Sequence, residues 1–416
     1  MKGGKSIGEF KPQAEKGNFE HQYLSVVRLA RFRTGNGIKL LKTGNEYFPV
    51  LLQAIYNASV EIYLESYIFA DDQTGRNVLQ ALIHVLHRGV AVRVLVDGFG
   101  SAEFQEELSN QLCAAGGELL VFRPEVARFS MRRSRLRRMH RKLAVIDGHT
   151  AFVGGINIIS ETIPPRLDYA LQIQGPILQD IQLAVRRLWR SVRLTALNPP
   201  LAPVPRLPAQ VDSSGKSTAA FLIRSNVLHR RSIENAYLHA IANSRQEVWI
   251  ACAYFLPGRH FRNALTEAAR RGVEVRLLLQ GKAEADHRLQ YFATQALYGV
   301  LIGEGVRCFE YNKSLMHAKA AVVDDNWATV GSSNIDPFSL LMAREANVVL
   351  NDEEFARELK RNLKLDIGEG AVEIKASDLR KRSLLVRLLN WLAYGSMRVF
   401  VGICGAWRDE DRQEHL

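Results

Sequence analysis

Two short stretches of this chain carry the same set of reactive side chains. Residues 140–158 read HRKLAVIDGHTAFVGGINI and residues 317–335 read HAKAAVVDDNWATVGSSNI, and the two align without a gap. His140, Lys142 and Asp147 match His317, Lys319 and Asp324. Asn157 matches Asn334, and Asp168 and Glu345 each follow their histidine by 28 residues. An imidazole beside an ammonium suits phosphoryl chemistry. A neutral histidine can attack phosphorus and form a covalent phosphohistidine, while a lysine stabilises charge on the non-bridging oxygens. A second imidazole can protonate the leaving alkoxide and then deprotonate the incoming alcohol or water. One copy supplies one histidine and one lysine, so two facing copies supply nucleophile, general acid and two cations. Asp168 and Glu345 are the candidates for fixing the histidine tautomers from the far ring nitrogen. Asn157 and Asn334 are candidate donors to phosphate oxygens.

The surrounding pattern must hold these groups in place. LAVID and AAVVD read as strands, in which residues i and i+2 share a face. His140 and Lys142 should therefore project together, as should His317 and Lys319. Asp147 and Asp324 have the opposite parity and are expected at the strand end, fixing the turn. The repetition extends upstream. RGVAVRVLVDG (88–98) parallels RGVEVRLLLQG (271–281), and VEIYLESYIF (60–69) and QEVWIACAYF (246–255) read as buried strands. Helical stretches at 77–89 and 261–272 each end at a glycine, a common helix stop. The order predicts an α/β unit occurring twice. Between the copies, LNPPLAPVPRLPAQVDSSGKS (197–217) has linker composition. The expected divisions are a polar segment 1–23, a first domain 24–197, a linker 198–217, a second domain 218–375 and a tail 376–416.

The whole chain has 416 residues and a net charge of +12, which calls for an anionic partner: nucleic acid, an acidic membrane surface or a phosphate-bearing substrate. Its four cysteines are scattered, without a CxxC pair, and are expected as reduced thiols. Carboxylates and histidines do not cluster at ligand spacing, so no metal is expected. The polar N-terminus lacks a signal-like apolar region, so the catalytic part is expected to face the cytosol.

These residues resemble the phospholipase D superfamily, whose hallmark is two HxKxxxxD motifs, each followed by a glycine-containing turn and an asparagine. Within it the chain is similar to the bacterial cardiolipin synthases, through YLESYIFADDQTG (63–75), RRMHRKLAVIDG (137–148), FVGGINI (152–158), HAKAAVVDDNWATVGSSNIDPFSL (317–340) and ANVVL (346–350). The likeness covers about residues 24 to 375. It is closest to the short form, since nothing in residues 1–60 is apolar enough to span a bilayer. The resemblance implies two pseudo-symmetric α/β domains with mixed sheets flanked by helices, and an active site at their interface. It implies a cofactor-free, metal-independent transfer of a phosphatidyl group from one phosphatidylglycerol to the hydroxyl of another, giving cardiolipin and glycerol. It counts Asp147 and Asp324 with the catalytic motif residues, and assigns His140 as nucleophile and His317 as general acid/base. The residues alone do not rank the two histidines.

Two further segments bear on the partner. RFSMRRSRLRRMHRK (128–142) holds seven arginines and one lysine with apolar residues interleaved. Arg132, Arg133, Arg135, Arg137 and Arg138 are expected to form a loop at the site that meets an anionic bilayer or a lipid head group. Aromatic residues for base stacking are sparse there, so nucleic acid is not the expected partner. KRSLLVRLLNWLAYGSMRVFVGICGAW (381–407) places Ser383, Arg387, Asn390, Tyr394 and Arg398 on one side of a helix. Leu385, Leu389, Leu392, Val399, Phe400 and Ile403 lie on the other, the pattern of an interfacial helix. A peripheral enzyme on the cytoplasmic side of a bacterial inner membrane is expected. The rival readings are a phosphodiester hydrolase or nuclease of the same superfamily, and a non-catalytic membrane scaffold. One chain already holds both half-sites, and its oligomeric state is not readable from the sequence.

Overall fold

The computed structural model describes residues 31–102, 104, 107–124, 137–196, 213–225, 229–282 and 288–403. The segment 1–23, residues 198–212 of the linker, Arg132, Arg133 and Arg135 lie outside them. The first half contributes strands β1 (Arg33–Lys42), β2 (Glu61–Ser66), β3 (Ala91–Asp97), β4 (Glu118–Phe122), β5 (Leu143–Ile146), β6 (Thr150–Gly154) and β7 (Tyr169–Gln174). The second contributes β8 (Ser217–Arg224), β9 (Glu247–Cys252), β10 (Glu274–Gln280), β11 (Arg307–Tyr311), β12 (Lys319–Val323), β13 (Trp327–Gly331), β14 (Glu345–Asn351) and β15 (Ala371–Ile374).

The two halves form one mixed sheet in the order β15-β11-β10-β9-β12-β13-β14-β8-β1-β7-β6-β5-β2-β3-β4. Each half runs the same way: the strand before the crossover helix (β2 or β9) pairs parallel with the next (β3 or β10) and antiparallel with the strand after the histidine (β5 or β12). The halves join through a short, irregular β1–β8 pairing, in which only Arg33 faces Ala219 and Asn36 faces Ser217.

Three cores follow from this plan. Val153, Leu171, Val330 and Val348 belong to one core shared by both halves, closed by helices Leu178–Thr195 and Glu353–Gly370. The other two lie under outer helices, Thr43–Tyr56 and Gln73–His87 in the first half and Ser232–Asn243 and Arg259–Arg270 in the second. The inner strands β2, β5, β6 and β12 are buried on both faces, which explains why they read as continuous apolar runs rather than as alternating ones. The expected helix stops are present: Gly89 and Gly272 have φ of 85° and 89° just past their helices, where a side chain would be strained.

The motif aspartates sit in the tight turns after β5 and β12. Asp147 and Asp324 have φ of 52° and 51°, as the first central residue of a turn with positive φ at both central positions requires. The Asp147 carboxylate accepts hydrogen bonds from the Ser59 N–H at 2.7 Å, the Ser59 hydroxyl at 2.9 Å, and the Val60 and Glu61 N–H groups, both at 2.9 Å. Asp324 does the same for the Arg245, Gln246 and Glu247 N–H groups at 2.7–2.9 Å. Both carboxylates are thus engaged at the entry to the neighbouring strand, and neither lines the cleft described below. They act on the fold, as their parity indicates.

Replacing Asp147 with Ala takes the acceptor from those donors and leaves the left-handed backbone without the short polar side chain that tolerates it. The expected loss is roughly 2–3 kcal/mol of stability, with turnover per folded molecule retained. Asp147→Asn keeps one acceptor oxygen and tolerates the turn, so it should cost less than half as much. Denaturant melts of the two variants measure the difference.

Candidate active site

The backbone brings the two half-sites together by a reciprocal exchange. Met139 pairs with Arg344, and Leu167 with Met316, as isolated parallel bridges. The His140 N–H donates to the Arg344 carbonyl at 2.9 Å, and the His317 N–H to the Leu167 carbonyl at 2.8 Å. Glu345 and Asp168 are the residues that follow those carbonyls. Each acid therefore arrives beside the histidine of the other half. His140 Nδ1 lies 3.0 and 3.1 Å from the two Glu345 oxygens, and His317 Nδ1 lies 2.7 Å from Asp168 Oδ2. With Nδ1–H donating to a carboxylate, each ring holds its Nε2 lone pair for chemistry.

The histidines stand just ahead of the strands rather than in them, since β5 begins at Leu143 and β12 at Lys319. Lys142 Nζ donates to the His140 carbonyl at 2.8 Å, and Lys319 Nζ donates to the His317 carbonyl. Each histidine–lysine pair is thereby locked as a unit.

Burial governs the electrostatics. It lowers the pKa of His140, a shift that Glu345 partly opposes. It lowers that of His317 well below the usual value, with Lys319 and Lys142 pushing the same way. Desolvation also brings Lys142 down to about 7 and lowers Lys319, and it pushes Asp168 up to about 6. Lys142 and Lys319 face Glu345 and Asp168, and buried Asp336, pushed up to about 7 by desolvation, lies within reach of Glu345 and Lys319. An arriving phosphodiester adds one negative charge, which favours protonated lysines and a protonated imidazole.

The half-sites differ in how the carboxylate is held. The Ser332 hydroxyl donates to Glu345 at 2.5 Å. The aligned position in the first half is Gly155, where a β-carbon would stand 2.2 Å from Asp168 Oδ1. Asp168 instead accepts its own Tyr169 N–H at 2.8 Å.

Both histidines, both acids, Asn157 and Asn334 line one cleft of about 1180 Å³. Asn157 Oδ1 accepts from the Ile68 N–H at 3.2 Å, while Asn334 Oδ1 is buried without a partner. Arg138 also lines the cleft, 3.7 Å from Asp97 and over the Phe99 ring. Arg137 is exposed. Asp97 itself is fully buried and accepts the Met139 N–H at 2.8 Å, so it anchors the approach to His140 from below. Among the described residues, no group of three or more His, Cys, Asp or Glu could hold a metal ion.

Sequence reasoning misses several residues that build the site. Tyr67 packs edge-on against the His140 ring, at 4.7 Å between centroids, and Tyr254 does so against His317 at 6.4 Å. The available signal was the tyrosine that follows each of β2 and β9. Ser332 gave none, because its counterpart is a glycine.

Comparison with known proteins agrees with this geometry. The family model described as "Cardiolipin synthase, PLD-like domain" matches residues 51–189 and 237–367. The chain is 38% identical over 389 residues to cardiolipin synthase B of Escherichia coli K12, covering 90% of this chain and 91% of that protein. It is 31% identical to cardiolipin synthase 2 of Bacillus cereus, covering 90% and 73%. In fold it resembles phosphatidylserine synthase of Haemophilus influenzae, with a TM-score of 0.69, 14% identity and coverage of 91% and 98%. The chain belongs to the PLD-like cardiolipin synthase family.

Ring-15N NMR of the free protein should show both imidazoles neutral at pH 7 as Nδ1–H tautomers, titrating below the ordinary 6.5. Glu345→Gln and Asp168→Asn should each lower turnover by roughly 10²- to 10⁴-fold, because an amide cannot hold that tautomer as a carboxylate does. Steady-state assays with matched circular dichroism spectra check the pair.

Proposed function

We propose that this protein is a cardiolipin synthase that joins two phosphatidylglycerol molecules without a metal or cofactor. The observation that carries the reading is the pair of carboxylate-held imidazoles, each tied to a buried lysine, opening onto one cleft in a chain of this family. In the first step His140 Nε2 attacks the phosphorus of one phosphatidylglycerol. A P–N bond forms, the P–O bond to the terminal glycerol breaks, and protonated His317 gives its proton to the departing alkoxide. In the second step the free glycerol hydroxyl of another phosphatidylglycerol loses its proton to neutral His317 and attacks the same phosphorus. The P–N bond breaks, and cardiolipin leaves. Lys142 and Lys319 stabilise the oxygens of the five-coordinate transition states, and Asn157 and Asn334 bind the phosphate or head group beside them.

The asymmetry of the carboxylates supports this assignment of roles. Glu345 presents both oxygens to His140, whereas Asp168 meets His317 through one and is raised to about 6, so in this reading His140 is the nucleophile. Arg137 and Arg138, with Arg132, Arg133 and Arg135 outside the described residues, belong in this reading to anionic lipid binding. Its setting is the cytoplasmic face of a bacterial inner membrane, with two catalytic domains at 24–197 and 218–375 and a membrane-associating tail at 376–416. Among the described residues no helix is long and apolar enough to cross a membrane.

The test is a product analysis with purified protein, phosphatidylglycerol vesicles and EDTA. Cardiolipin and free glycerol in equal amounts are expected. Both should fall at least roughly 10³-fold in His140→Ala and in His317→Ala, with the fold intact. Phosphatidic acid as the sole product would make the enzyme a hydrolase, and activity only on DNA would make it a nuclease.

A further inference from the structure

The helix Leu384–Ile403 is amphipathic, and it is mounted with its apolar side outward. Its inner side is set by Asn390, Ala393, Tyr394 and Met397, all buried, at the i, i+3, i+4, i+7 spacing of one helix face. The Tyr394 hydroxyl accepts from Arg262 Nη1 at 3.0 Å, and Phe400 stacks on Phe338 at 5.9 Å between centroids. Phe400 therefore leaves the outer face on which the sequence pattern puts it, while Asn390 and Tyr394 turn inward rather than to solvent. At 3.6 residues per turn the opposite face spans roughly 160°. Leu385, Leu388, Leu392 and Val399 form its centre and Leu389 and Trp391 its edges. Leu392 is 58% exposed and Val399 62%. That arc contains no Asp, Glu, Lys or Arg; Arg387 and Arg398 lie together on one flank.

The helix that carries this face also borders the cleft, through Met397 on its inner side. Met397 and Phe338 line the cleft from the helix side, as does Leu289 on the neighbouring helix Arg288–Gln295. Across the opening stand Ile163, which is fully exposed, and Phe99, which is 53% exposed. Large apolar side chains held in water around a polar catalytic cleft need a partner that covers them and still leaves the cleft supplied.

We infer that the outer face of the Leu384–Ile403 helix and the apolar rim of the cleft form one docking plane for an anionic phospholipid bilayer, so that the cleft opens onto the lipid surface. The inference rests on the lipid-transferring reading of the site. A bilayer fits better than a second copy of the chain. The face is aliphatic, with a tryptophan at its edge and arginines on its flank, the arrangement of an interfacial helix. It offers almost no polar groups to set the register of a protein partner, and a second copy seated there would close the mouth.

The test pairs vesicle binding with turnover in the full-length chain, comparing wild type with Leu388→Asp/Leu392→Asp. Both substitutions lie on the outward face, so the melting temperature should not fall. Wild type should sediment with vesicles containing phosphatidylglycerol, and brominated lipid should quench its fluorescence, with less quenching in Trp391→Phe. The double variant should bind those vesicles at least tenfold more weakly and turn over vesicle substrate at least tenfold more slowly. Its turnover of a short-chain phosphatidylglycerol kept below its micelle concentration should equal that of wild type. Equal vesicle binding by wild type and variant overturns the docking plane. So does a fall in turnover of the monomeric lipid, which would make the helix part of the site's support. A wild-type dimer that the double variant converts to monomer overturns it in favour of a second copy. Failure of the functional reading alone is seen separately, as wild type that binds vesicles through this face but turns over neither lipid.

Discussion

The site depends on the exchange of carboxylates between the two halves of the chain. Glu345 holds His140 and Asp168 holds His317. Neither half on its own can fix the tautomer of its own imidazole, so a working nucleophile and a working acid exist only when both halves are docked. The backbone bridges that carry the acids across are part of the same contact, since each histidine N–H bonds to the carbonyl just before the incoming acid. The large core between the halves serves this end. A packed interior resists small displacements, and a carboxylate–imidazole bond is useful only if it holds its geometry through two opposite proton transfers.

Placing four charged groups and two imidazoles in one buried cluster is costly unless the charges balance. Here both lysines have Glu345 and Asp168 within electrostatic reach before substrate arrives. Two lysines face two carboxylates, and burial keeps both histidines neutral. The arriving phosphodiester then shifts that balance toward protonation, as a general acid requires. Each histidine needs a different protonation state in the first step of the proposed reaction, and the two acids beside them are held differently.

Catalysis and location are joined at the cleft mouth. One lip carries Phe338, Met397 and Leu289, the other Ile163 and Phe99. The helix that supplies Met397 to the cleft also turns a charge-free aliphatic face outward. A substrate with two long acyl chains cannot leave a bilayer cheaply, so a polar cleft framed by apolar lips suits chemistry at the membrane surface.

Much of this was legible in the residues themselves. A gapless repeat of histidine, lysine, asparagine and acid indicates a duplicated α/β unit and phosphoryl chemistry, because those spacings are local and survive any tertiary arrangement. The parity of Asp147 and Asp324 already placed them behind the strands, since side chains alternate along a strand by geometry alone. Three matters lay beyond the sequence because they depend on how distant segments meet. The acids share an offset with their own histidines, yet each serves the other one, and only the docking of the halves decides that. The strands of both halves join into a single sheet through a junction of a few residues, too short to leave a pattern. The helical periodicity at the C-terminus showed two faces but not which would meet the body. Packing buried the side bearing Asn390 and Tyr394, where Arg262 could pair with a hydroxyl, and left the aliphatic side to the surroundings.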